Sequence, residues 1–191
     1  MSILNKKAAM FGLDARIALA IFGALSVITG ASLYNVIQHA KAVSFLTELN
    51  EMGKAWEAHY IDTGVDLPRV TEDSSSSNFY VLQNKYLAED DGSYGWKGPY
   101  LPYKVQAYYL TNSKNYGIHL MTLENNEDWT YWLNGLCQAG EACSLWSYMS
   151  GVTDAALVRK VDILVDGVAG PGEGNFRFVC PTTCLIHFKQ A

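Results

Sequence analysis

Four cysteines, four histidines and the adjacent acids Asp90 and Asp91 are the residues of this chain best suited to hold a metal, a redox bond or a proton. The cysteines stand as Cys137-x5-Cys143 and Cys180-x3-Cys184. The usual zinc knuckle is spaced more tightly, and an even cysteine count in an exported domain reads as two disulfides, of which three connectivities exist. His39, His59, His119 and His187 are scattered, which fits surface or partly packed imidazoles. Asp90 and Asp91 could join backbone carbonyls around calcium, although adjacent carboxylates are commonly just solvated. The Gly-rich stretch "GVAGPGEGN" (167–175) lacks G-x-G-x-x-G and follows a predicted helix, not a strand. G-x-S-x-G, H-E-x-x-H, P-loop and C-x-x-C motifs are absent, and Ser144 to Ser150 offers no nucleophile with a paired base. We therefore expect no catalytic residues, no metal site and no enzyme activity.

The other unusual side chains are charges placed beside an apolar run. Lys6 and Lys7 precede it, and Asp14 and Arg16 stand at its mouth. From Ile17 to Gln38 there is no Asp, Glu, Lys or Arg. As a helix these 22 residues would span roughly 33 Å, about one hydrocarbon core. Residues 1–39 hold three of the 14 Lys/Arg and one of the 19 Asp/Glu. That is a net of +2, which leaves −7 for residues 40–191 within the total of −5. A positive tip, an apolar run and an acidic body form a membrane-topology pattern, with the lysines cytoplasmic and the body across the membrane. The acidic body argues against a broad nucleic-acid-binding face. The run reads as a plain anchor, as a secretory signal cut near Gly30, or as something that needs a charge at the membrane edge. Burying Asp14 or Arg16 in lipid costs a few kcal/mol at the centre and less at the edge, and a plain anchor has no use for that.

The elements that position these residues follow from periodicity. Leu46, Leu49, Met52, Trp56 and Tyr60 recur at spacings of three and four, continuing the helix as an amphipathic one. Asp62-Thr63-Gly64 and Pro68 end it, so one helix of about 45–50 residues is predicted. Gly23, Gly30 and Gly53 are possible soft points within it. "TEDSSSSN" (71–78) is a loop. Phe79, Leu82, Tyr86 and Leu87 predict a short helix. "SYGWKGPYLPY" is an ordered loop pinned by aromatics. Residues 105–112 and 116–123 predict one hairpin around Ser113-Lys114, and 175–180 and 184–189 predict another around Pro181-Thr182-Thr183. Trp129, Trp132, Leu133 and Leu136 predict a helix over 126–137. A second helix is predicted over 153–167, with Thr153 as N-cap. The expected class is α+β, with the long helix packed against an antiparallel sheet of about four strands. The body should begin near residue 39.

The N-terminal stretch resembles the start of type IV pilins and of the pseudopilins of type II secretion. Those proteins carry a short basic leader, a cleavage site, and a mature start in which the fifth residue is acidic. Aligning "AIFGAL" on the family's "AIIGIL" puts Asp14 at that acidic position and makes 1–9 the leader and 10–38 the filament-core helix. Cleavage would then follow Ala9 and N-methylation would fall on Met10; a cut after Gly12, with Leu13 methylated, restores the family's glycine before the cut. Trp96-Lys97-Gly98-Pro99-Tyr100-Leu101 resembles the family's W-(R/K)-G-P-Y-L segment. Asp162, Asp166, Gly167, Gly174 and Arg177 resemble a looser C-terminal pattern. The resemblance implies a pilin-like fold and a structural subunit assembled with copies of itself in a helical filament, either a pilus or a secretion pseudopilus. It implies a prepilin peptidase and inner-membrane assembly machinery as partners. The subunit would lie in the bacterial inner membrane before assembly, then in a periplasmic or extracellular filament. Asp14, with Arg16, would serve assembly. Calcium, found in related pseudopilins, is the one cofactor it suggests. A membrane-anchored periplasmic binding or sensor domain is the reading from another class. We expect local disulfides, Cys137–Cys143 and Cys180–Cys184; the resemblance also allows a crossed pairing.

Overall fold

The computed structural model describes residues 4–125, 128–138, 140–168 and 170–190; within its first helix, side chains are described from residue 12 on, residue 31 excepted. Helix α1 spans Leu4–Thr63, 60 residues where about 45–50 were expected, because it begins ahead of the apolar run. Its contacts divide the chain into two compact units, residues 1–41 and 42–191.

In the second unit, α1 buries Ala42, Phe45, Leu49, Met52 and Ala55 in one core. This is the face set by the three-and-four spacing of its apolar residues. The helix ends where expected, with Gly64 at φ 73° and its N–H donating to the Tyr60 carbonyl at 2.8 Å. The core's other wall is a six-stranded antiparallel sheet of β1 (Lys104–Gln106), β2 (Tyr109–Thr111), β3 (Gly117–Glu124), β4 (Cys143–Val152), β5 (Phe176–Val179) and β6 (Cys184–Lys189). Their order is β1-β2-β3-β4-β6-β5. Helix α2 (Ala155–Asp166) adds Val158 and Val161 to the same core.

Strand alternation divides the sheet residues between two faces. Ile118, Leu120, Met149, Ile186, Phe176 and Phe178 join the core beneath α1. On the opposite face Met121, Leu123 and Trp146 form a second cluster with Val81 and Trp129. In one row across the sheet, His119 pairs with Tyr148, Tyr148 with His187, and His187 with Arg177.

Several expected elements take another form. Residues 105–112 are not one strand. Ala107 turns left-handed at φ 57° and folds the segment into a β1–β2 hairpin, which raises the strand count. The helix expected over 79–87 is two 3-10 turns, Ser77–Tyr80 and Asn84–Leu87. Between them Val81 bridges Met121, and the Leu82 N–H donates to the Leu120 carbonyl, so this stretch is drawn out along β3. Of the helix expected over 126–137, residues 126 and 127 lie outside the described residues, and 128–137 hold one 3-10 turn, Trp132–Asn134, because Leu136 bridges Leu123 and Trp129 is drawn into the outer cluster. Together these segments cover the edge of β3 beyond its short pairing with β2, where open backbone groups would otherwise template aggregation. Strand β4 was not expected at all. The N-cap of α2 is Asp154, which accepts from the Leu157 N–H at 2.9 Å, not Thr153.

Candidate functional site

Two places gather the residues singled out from the sequence. The first is the apolar part of α1. Leu13, Leu19, Phe22, Val27, Ile28 and Val36 are all exposed, Phe22 by 72% and Val27 by 74%. At 100° per residue these positions point all round the helix, so no single face is apolar. Ser26 and Thr29 return their hydroxyls to the carbonyls of Phe22 and Leu25 at 2.8 and 2.7 Å. Each polar group thus satisfies itself on its own helix, as a lipid setting requires. The helix holds a stretch long and apolar enough to cross a membrane. Gly12, Leu13, Asp14 and Arg16 are exposed on it, and among the described residues neither Asp14 nor Arg16 makes an ion pair. Ala9 and Met10 lie on α1 before the first described side chain.

The second place is the Trp96–Leu101 loop, which locks onto the last turn of α1. Lys97 Nζ donates to Asp62 Oδ1 at 2.8 Å, and the Tyr100 hydroxyl donates to Asp62 Oδ2 at 3.1 Å. The Lys97 N–H donates in turn to the Tyr100 hydroxyl at 3.1 Å. Trp96 Nε1 donates to the Tyr86 carbonyl at 3.1 Å, and the Tyr100 and Leu101 N–H groups both reach the Leu87 carbonyl. The Gly98–Pro99 peptide is cis. The hydrogen bond from Lys97 lowers the pKa of Asp62, and the same bond raises that of Lys97. Burial raises the Tyr100 phenol. Through Lys97 and Tyr100 this loop positions the end of α1.

Asp90 and Asp91 lie just before that loop and are already engaged. Asp90 Oδ1 accepts from the Gly92 N–H at 2.8 Å. Asp91 faces the buried His59 imidazole at 3.2 Å and accepts from the N–H and hydroxyl of Ser93. Burial raises the Asp91 pKa, but the Ser93 and His59 bonds outweigh it, and the carboxyl ends below its ordinary value. Among the described residues no three His, Cys, Asp or Glu side chains converge on one point. Asp91 thereby ties the segment before the loop to His59 of α1.

The cysteines pair locally, Cys137 with Cys143 and Cys180 with Cys184. Of the C-terminal residues, Asp166 accepts from the Asn175 and Phe176 N–H groups at 3.0 and 2.8 Å and fastens α2 to β5. Gly167 closes α2 in a left-handed cap. Asp162 is buried and accepts from the Gly170 N–H at 2.8 Å; burial raises its pKa to about 6. Arg177 lies 4.5 Å from the Trp129 ring and 5.0 Å from the Trp146 ring.

Sequence reasoning missed the row of rings on the outer face. The Tyr109 and His119 rings stack at 4.7 Å, His119 meets Tyr148 at 5.2 Å, and Tyr148 meets His187 at 5.1 Å. Burial lowers His119 to about 4 and His187 to about 3, so both stay neutral near pH 7, and it raises Tyr148 to about 12. Period-two spacing would have aligned these residues only once β4 was recognised. No family model, no curated protein and no solved structure matches this chain.

Proposed function

We propose that this chain is the structural subunit of a type IV pilus-like filament, held in the membrane and then in the filament by the first part of α1. The observation that carries this reading is a helix apolar on every side between Ile17 and Gln38, continuous in sequence and hydrogen bonding with a helix that bears a folded acidic domain. A helix hydrophobic all round needs an apolar environment on all its sides. Lipid supplies it before assembly, and a bundle of equivalent helices supplies it afterwards. Asp14 then meets the N-terminal amine of a neighbouring copy in a low-dielectric setting, where a charge pair counts for more than at a surface. The role is architectural, and the subunit's partners are its own copies, a prepilin peptidase and inner-membrane assembly machinery.

A secretion pseudopilin is the second reading, favoured by the Trp96–Leu101 loop and its seat on Asp62. The Trp-rich cover over the outer face and the two disulfides favour a durable surface filament. Sequencing the N-terminus of protein purified from its native membranes tests the proposal. A processed chain beginning with an N-methylated Met10, or Leu13, is the expected result. An intact Met1 leaves a membrane-anchored domain and removes the filament reading.

A further inference from the structure

The outer face of the sheet carries a hollow of about 540 Å³ over β2, β3 and the end of β4. Its size falls within the range of small-molecule sites. One part of its lining is aromatic: Tyr108, Tyr109 and His119, whose rings lie 4.7–5.8 Å apart. The other part is made of uncharged hydrogen-bonding groups, the amides of Gln106 and Asn115 and the hydroxyls of Thr111 and Ser150. None of the lining side chains carries a formal charge, because burial keeps His119 neutral.

These groups are held in place yet largely unused. Asn112 Oδ1 accepts from the Lys114 and Tyr116 N–H groups, and its amide donates to Glu48, so the turn that bears Asn115 is tied to α1. Lys114, the nearest cation on that turn, is engaged by Glu48 at 2.8 Å. Asn115 itself is left-handed at φ 59°. Among the described residues, the side chains of Gln106, Tyr108, Tyr109, Asn115 and His119 make no hydrogen bond within the chain. The Thr111 hydroxyl makes only a long one, at 3.4 Å, and Ser150, which also meets Tyr148, reaches the Gly117 carbonyl at 3.5 Å. Gly117 keeps the floor open, since a Cβ there would meet Ser150 Oγ at 2.8 Å.

We propose that this hollow binds a neutral saccharide. The C–H face of a pyranose carries slight positive charge and fits the negative face of an aromatic ring. Its hydroxyls both donate and accept, and so match amides and hydroxyls, which do the same. A phosphate or carboxylate would find no cation in the lining, although Lys104 stands beside it, opposite Thr111 in β1, and the acidic body disfavours a polyanion such as single-stranded DNA. The inference concerns the folded domain and does not depend on filament assembly.

The test uses the full chain in phosphocholine micelles, whose headgroup contains no sugar. Aromatic protons are saturated, and transfer to maltotriose, cellotriose or chitotriose is read at millimolar concentration. Transfer to the ring protons of at least one of the three is expected. Tyr109→Ala should reduce it about fivefold or more, and Gln106→Ala, an exposed position that keeps the ring cluster, should reduce it two- to threefold. Tyr94→Ala, a fully exposed residue outside the hollow, should leave it unchanged. The proposal is overturned by absence of transfer from all three sugars, or by equal transfer in Gln106→Ala and the parent. Preference for sialyllactose or for a thymidine hexanucleotide would also overturn it, by assigning the hollow to an anion or to a nucleobase.

Discussion

Lys97 Nζ lies 2.8 Å from Asp62 Oδ1, joining the Trp96–Leu101 loop to the last turn of α1. The pair is exposed on the lysine side, so its charge attraction is screened and contributes little. The backbone beside it matters more. Gly95 sits at φ 94°, and a Cβ there would collide with the Asp62 carbonyl oxygen. Lys97→Ala should therefore barely move the thermal midpoint, whereas Gly95→Ala should cost about 2 kcal/mol or more through left-handed strain and the clash. Urea unfolding of both variants decides; equal effects would mean that the ion pair holds the loop.

Asp14 should be needed for assembly and not for folding. It is exposed on an apolar helix and has no ion-pair partner among the described residues, so its removal breaks no ion pair seen within the chain. Asp14→Ala should insert into membranes at the normal level and yield few sheared filaments. Normal filament yield, counted by electron microscopy, would remove its proposed role. Arg16→Ala is expected to have a weaker effect of the same kind.

The long helix, its stop and its buried face were legible because Leu49 and Met52 repeat at helical spacing and Gly64 follows the last turn. Helix α2 and the β5–β6 hairpin were legible for the same local reasons. β4 was not. Its inward positions include Ser147, which is buried and bonds the Phe188 carbonyl, and Gly151 interrupts its end, so no clean apolar alternation marks it. Trp129, Trp132 and Leu136 fit a helical face, but the edge of β3 claims Leu136 and the outer cluster claims Trp129. Ala107 gave no turn signal, because alanine is rarely left-handed. The saccharide hollow was illegible for a related reason: its rings come from β2, β3 and the turn before β2, and only pairing brings them together.

Stability should fall as pH drops from about 6.5. His119 and His187 have folded pKa values of about 4 and about 3, below the ordinary 6.5, so the unfolded chain binds the extra protons in that window. His119 is faced by Tyr108, Tyr109 and Tyr148, and His187 by Trp129, Tyr148 and Arg177, none of which supplies a counter-charge to an imidazolium. Asp162 opposes them. Its pKa is raised to about 6, so the folded chain binds its proton first, and that contribution stabilises as pH falls toward 3.8. Near pH 5 the balance is about one net proton taken up on unfolding. His187→Leu should bring that balance close to zero. An unchanged slope of unfolding free energy against pH in that variant would show that His187 is not buried neutral.

The folded domain should be independent of the apolar part of α1. Compact contacts of the second unit begin at Ala42, and α1 contributes Phe45, Leu49 and Met52 to a core completed by the sheet and α2. The large apolar side chains exposed at intervals from Leu13 to Ile37 all belong to the first unit. Residues 39–191, expressed into an oxidising compartment so that both disulfides close, should therefore be soluble, monomeric and cooperative in unfolding. Phe45→Ala in that fragment should cost about 3–5 kcal/mol, the range for emptying a fully buried aromatic site. A fragment starting at residue 54 should not fold, because it lacks the three largest side chains that α1 places in the core. The 39–191 fragment should also fail to polymerise, since the surface proposed to build the filament has been removed. Light scattering and electron microscopy read the outcome. Filaments formed by the fragment alone would mean that the acidic domains carry the assembly energy and that the apolar helix is only an anchor.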